Sequence, residues 1–107
     1  MPHYMTQFSY TAEAWKALAH NPTNRLDGFR ALADKLGIKV VAAYYAFGEH
    51  DGIIITEAPD DKTIAAAVIA AVSPGHIRSV KTTVLMTGEE TVEALRKAGS
   101  VTYQGPS

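Results

Sequence analysis

Cysteine is absent from this 107-residue chain, which excludes disulfides, thiolate nucleophiles and zinc sites built on sulfur. An excess of one charge is missing too. Ten Lys and Arg nearly balance eleven Asp and Glu, so neither a nucleic-acid groove nor a polybasic membrane patch is indicated. No apolar run reaches the length of a membrane span. The opening stretch MPHYMTQFSY lacks the basic segment and long apolar core of a signal peptide, so a cytoplasmic location is expected. There is no His-x-x-x-His pair and no phosphate-loop spacing; SPGHIR at 73–78 has Gly and Arg but reads as a helix end leading into a strand. Repeats, linkers and low-complexity segments are also lacking.

What is present is a 47% hydrophobic chain of the size of one domain, able to bury a core without staples. The expected organisation is a single domain over 1–107, with 99–107 as a C-terminal tail. Residues 3–10 alternate in character and are rich in aromatics and Thr, a strand signal ending at Thr11, which can cap a helix over AEAWKALA. Asn21-Pro22 breaks that helix and is expected to open the next, with Asn21 as cap. In that second helix Leu26, Phe29, Ala33 and Leu36 recur at helical spacing until Gly37. Val, Ile, Tyr and Phe make strands of 38–47 and 53–58, joined by the hairpin loop GEHDG, where Gly48 and Gly52 can supply positive backbone dihedrals. A helix follows over 60–72, then a strand over 77–86. Thr87 and Glu90 form a capping box for a last helix closed by Gly99. In the tail, Val101 and Tyr103 could add a short strand against a neighbour.

This order is β-α-β-β-α-β with an extra helix. Two right-handed crossovers and one hairpin give an α+β, ferredoxin-like sandwich with a four-stranded antiparallel sheet of order 4-1-3-2. The topology puts the hairpin turn, the end of strand one and the start of strand four at one end of the sheet. Tyr10, Tyr45, His50, Asp51, His76 and Arg78 therefore form the candidate ligand-binding set, with Pro2 and His3 at the far end, roughly 20–25 Å away.

The block TNRLDGFRALADKLGIKVVAAYYAFGEHDGIIITEAPDD, within a likeness running over about residues 2–98, resembles the GYD domain family. That family is named for a Gly-x-Tyr-Asp turn before an apolar strand. Gly48 and Asp51 match, Glu49 takes the variable place, and His50 stands where the tyrosine belongs. The resemblance implies a dimeric α+β barrel architecture; it implies no agreed activity, and any role needing the phenol falls away.

Two features bear on function. The helix 60–72 carries no charge after Lys62, and the strands IIITEA and VVAAYYAF are apolar on both faces although helices cover only one. The uncovered face calls for an identical face from a second copy, since burying about 600–800 Å² per partner contributes on the order of 15 kcal/mol before association costs. The hairpin turn is the second feature. Asp51 can bond back within its own turn, which accounts for every residue of the loop except His50. Alternatively His50 carries protons, oriented by Asp51 or Glu49, or joins His76 and a carboxylate on a divalent metal. A free N-terminal Pro2 acting as an amine base is a further, remoter option. The expectation is a homo-oligomer that binds a small ligand or serves as a regulatory or interaction module, with no cofactor, metal, nucleic acid or membrane partner. The competing reading is a cofactor-free oxygenase or isomerase with His50 as base and Arg78 or Tyr45 steadying an enolate-like anion.

Overall fold

In the computed structural model, which describes residues 1–106, the elements follow in the order β1 (His3–Tyr10), α1 (Ala12–His20), α2 (Arg25–Lys35), β2 (Lys39–Tyr45), β3 (Gly52–Glu57), α3 (Asp61–Val72), β4 (Ile77–Leu85) and α4 (Gly88–Gly99). The strands form one antiparallel sheet of order β2-β3-β1-β4, which is the expected 4-1-3-2 counted from the other edge.

Local chemistry explains most of the helix boundaries. The Thr11 hydroxyl accepts from the Ala14 amide, Asp60 accepts from the Thr63 amide, and Thr87 and Glu90 complete a reciprocal capping box. The start of α2 departs from expectation. Asn24, not Asn21, is its cap, its side chain accepting from the Leu26 amide. Asn21 instead ends α1, donating its amide to the Ala17 carbonyl, so Pro22 lies in the connection rather than in the first helical turn. Gly37, at φ 69°, closes α2.

The hairpin glycines are also used differently. Neither Gly48 nor Gly52 has a positive φ; among the described residues that conformation belongs to Gly37 and Gly75. Gly52 is required for space, because a Cβ there would lie inside the Phe8 ring. It is β1's aromatic packing, not turn geometry, that excludes a side chain at position 52.

Register sorts the sheet into two unlike faces. Tyr4, Thr6 and Phe8 share a face with Thr56, Ile54 and Gly52 of β3 and with Val84, Thr82 and Val80 of β4. This face meets the helices. Tyr4 packs with Ala33, Ile38, Ala58, Ile64 and Ala67, while Phe8, Tyr10 and Ile54 pack with Ala14 and Leu26. Across the opposite face run two mixed rows, Thr83–Met5–Ile55–Ala42 and Lys81–Gln7–Ile53–Tyr44, flanked by a contact between His3 Nε2 and Glu57 Oε1 at 2.9 Å. Among the described residues no helix covers that side.

The helix layer also stops short of β4. Val80 and Val84 point toward the helices' side yet are 38% and 60% exposed. Beyond β4, α4 buries no residue, and Val101 and Tyr103 in the tail are exposed and form no strand. The result is an elongated outline of 58 × 34 × 21 Å and a radius of gyration of 17.4 Å, against about 13 Å for a compact chain of this length.

Candidate functional site

The end of the sheet that gathers the hairpin turn is organised by Asp51. Its amide donates to the Phe8 carbonyl at 2.8 Å, and one carboxylate oxygen, Oδ2, accepts from both the Tyr10 amide (2.9 Å) and the Trp15 indole Nε1 (3.2 Å). The register of β1 against β4 shifts between Ser9 and Tyr10, and Asp51 supplies the acceptor for the Tyr10 amide beside that irregularity. Asp51 was expected to bond within its own turn; it reaches across to β1 and α1 instead, stapling three elements.

Around this staple lies an aromatic cluster. Tyr10 meets Phe8 and Trp15 edge-on, with ring centroids 5.3 and 5.2 Å apart, and Tyr45 lies tilted at 6.5 Å. The Tyr45 hydroxyl accepts from the Arg25 amide at 3.2 Å, tying β2 to the first residue of α2. Burial raises the Tyr10 phenol well above its ordinary range; the Tyr45 hydroxyl adds to the shift and Asp51 contributes further, with Arg25 opposing. Tyr10 thus stays protonated near neutrality and can donate a hydrogen bond but cannot act as a base.

The six candidate residues divide. Tyr10, Tyr45 and Asp51 come together. His50 is half-buried beside them, but its ring is not hydrogen-bonded to Asp51 or Glu49, and its Nδ1 is buried without a partner among the described residues. The side chains of His76 and Arg78 are exposed; His76 contributes its carbonyl, which accepts from the Thr11 amide at 3.0 Å. Among the described residues no three His, Asp or Glu side chains converge as a metal-binding group. A His50–Asp51 acid-base pair is therefore not assembled, because the Asp51 oxygen used here is already shared by two donors.

Trp15, expected to serve as a core or interface residue, and Arg25 were not among the candidate ligand-binding residues. Trp15 carried one legible signal: it lies four residues after the Thr11 cap, one helical turn above the end of β1, where its indole can point back at the strand. Arg25 carried none, since it is its backbone amide that Tyr45 meets.

At the opposite end, the Tyr4 hydroxyl donates to Asp61 Oδ1 at 2.5 Å, and that bond, with burial, pushes its phenol up to about 12. Pro2 lies there with Pro59, Asp60, Asp61 and Lys62 around a wide shallow hollow, away from His50. Along the edge of the helix layer, between α2, α3, β1 and β4, runs a narrow apolar groove of about 80 Å³ whose lining includes Leu26, Phe29, Val68, Val72, Ile77 and Val80. Among the described residues Arg25 is the charged residue lining it.

Comparison with known proteins places this architecture. A Thermus thermophilus protein named "Glutamine synthetase and cystathionine beta-lyase binding protein" is 32% identical over 80 residues, covering 75% of this chain and 84% of that one. Among solved structures, that of FFRP-DM1 aligns with a TM-score of 0.56 at 16% identity, over 80% of this chain and 100% of that chain. The structure of MtbAldR aligns at 0.58 and 15% identity, over 80% of this chain and 52% of that one, so this chain spans about half its length. Both show a shared fold. The profile of the GYD domain matches residues 4–95, from β1 into α4. With most of its length matched in this way, the chain belongs to the GYD domain family.

Proposed function

We propose that this protein is a non-catalytic interaction module that pairs with a second copy of itself and binds other proteins, with metabolic enzymes of the kind named in its Thermus relative as the first partners to try. The observation that carries this reading is the sheet face left bare by the helices. Met5, Ile53, Ile55, Ala42, Tyr44 and Leu85 lie on it, interrupted by Gln7, Thr83, Lys81, Lys39 and the His3–Glu57 pair. An apolar face of that kind, rimmed by polar groups, is the usual mark of a surface that meets another protein. The relative's printed name supports the same class of activity.

The hairpin end adds a small-ligand role to the proposal. Supporting it, Tyr10, Tyr45 and Asp51 belong to one cluster, and His50, His76 and Arg78 belong to segments that meet the same end of the sheet. A catalytic role for His50 has less support, because neither neighbouring carboxylate orients the imidazole.

Light scattering coupled to sizing tests the pairing: the native chain should run at twice its 11.5 kDa mass or more, and Ile55→Glu should reduce it toward a single copy. Immobilised native protein should capture purified glutamine synthetase or cystathionine β-lyase. A single-copy mass at high concentration, together with no capture of either enzyme, would overturn the reading.

A further inference from the structure

The bare sheet face does not account for all the surface this chain leaves uncovered. Its accessible area is 7552 Å², whereas a compact protein of 11.5 kDa exposes about 5,800 Å². The excess, roughly 1,700 Å², is about twice the ~800 Å² that each partner loses in an interface of standard size. The molecule leaves a second apolar surface open, in two halves. One half is the groove between α2, α3 and β4. The other is α4, on which Val92 and Leu95, 44% and 64% exposed, line up with Thr91 and Ala98 along one stripe, while Glu89, Glu93, Arg96 and Lys97 take the remaining sides.

A twelve-residue helix is marginal in water unless its apolar side is covered, and a capping box offsets only part of that cost. Within its own chain α4 is poorly placed to find cover. It leaves the sheet at the Leu85 end of β4 after only Met86 and Thr87, while the groove extends to Ile77, eight residues and about 26 Å back along the strand. A helix of this length reaches about 18 Å. Folded back, it would reach Val84 and Val80 and stop short of Ile77 at the far end of the groove.

We propose that α4 of each copy docks, apolar stripe first, into the groove between α2, α3 and β4 of a second copy, closing a site that is incomplete in the single chain. Chemistry at the two surfaces matches: apolar stripe on apolar lining, with Glu89, Glu90 and Glu93 of the helix opposite in sign to Arg25 at the groove. The arrangement shares with the proposed function only the premise that copies meet, and it uses a separate surface.

The absence of cysteine makes a clean test possible. Leu95→Cys and Val72→Cys are made as separate, differently tagged variants of the full chain and co-expressed. Docking between copies predicts a disulfide-linked heterodimer carrying both tags, and a fall in solution mass for Leu95→Glu, a change at an exposed site that leaves the chain's own core intact. Ile55→Glu, which tests the sheet face, should leave the Leu95–Val72 crosslink in place, so failure of one surface is distinguishable from failure of the other. Two results overturn the inference: a Leu95→Cys/Val72→Cys double variant that crosslinks only within one chain, or no crosslink between copies together with an unchanged mass for Leu95→Glu.

Discussion

Two halves of this molecule use the same residues to different ends. In the half built from β1, β3 and the first three helices, Tyr4, Ile54, Ile64, Ala33 and Ala67 are almost entirely withdrawn from solvent. In the half built from β4 and α4, Val80, Val84, Met86, Val92 and Leu95 are 38–64% exposed. Both stretches alternate or recur as core residues should. What differs is whether a third layer lies against them. The crossover helices α1–α2 and α3 are forced back onto β1 and β3 by the strands on either side, whereas α4 is not held between two strands of this sheet. Apolar periodicity therefore marks which faces need cover without saying whether the cover is internal.

The sharpest way to break this contrast is a matched pair of truncations. Ile54→Ala, in the covered half, should cost about 3 kcal/mol in denaturant unfolding, through lost burial and the cavity it leaves. Leu95→Ala should cost almost nothing in dilute solution and become destabilising as protein concentration rises. A concentration-independent loss of similar size at both sites would show that α4 is covered within its own chain.

A smaller effect is expected where the covered half has no spare room. Gly52→Ala drives a methyl group into the Phe8 ring and should cost about 1–3 kcal/mol, while Gly48→Ala, with open space around it, should not. Equal melting temperatures for the two variants would contradict the packing at β1.

Next comes the staple between the hairpin and the helix layer. Asp51→Ala leaves the Tyr10 amide and the Trp15 indole without their acceptor and should cost about 1–2 kcal/mol. Trp15 is the only tryptophan, so its fluorescence should shift as the indole loses its carboxylate. Asp51→Asn, which keeps an acceptor oxygen, should recover most of the stability. The same series leaves His50 unchanged and so separates a structural role for Asp51 from any acid-base role.

The smallest effect is a pH dependence at the other end of β1. Hydrogen bonding to Asp61 and burial raise the Tyr4 phenol from its ordinary value of 10 to about 12. A raised value means the folded chain favours the protonated phenol, so its contribution is complete below pH 10 and is lost as pH climbs from 10 through about 12. Tyr4→Phe should flatten that alkaline decline in thermal stability. On the acid side, hydrogen bonds from Thr63 hold the Asp60 carboxyl, and bonds from Thr87 the Glu90 carboxyl, below the usual carboxylate range. What these caps contribute is present above the ordinary carboxylate pKa and fades as pH falls through the lowered values. Circular dichroism across both ranges checks the signs.

Much of the candidate site could be read before the fold was known, but only as proximity. Strand order alone brought Tyr10, Asp51 and His76 to one end of the sheet, because a hairpin turn and two strand ends have to meet there. Which of them bond could not be read. Asp51 looked like a turn residue because its nearest donors along the chain lie in its own loop; in the fold its carboxylate accepts from a donor forty-one residues away, the Tyr10 amide. Gly52 misled for the same reason, since its constraint comes from Phe8 across the sheet and not from its own backbone. At α2, Asn21 and Asn24 are both competent caps, and the choice went to the one whose side chain meets the Leu26 amide.

The sequence by itself determined the order and kind of the elements, the capped starts of α1, α3 and α4, the sheet order, and the surplus of apolar surface. Each of these follows from contacts within a few residues or from the small set of ways that β-α-β units can be connected. Only the tertiary structure decided that Asp51 staples β1 to α1, that Gly52 yields to a ring, and that α4 stands clear of the groove it resembles a lid for. Those depend on distances between residues far apart in the chain, which no local pattern encodes.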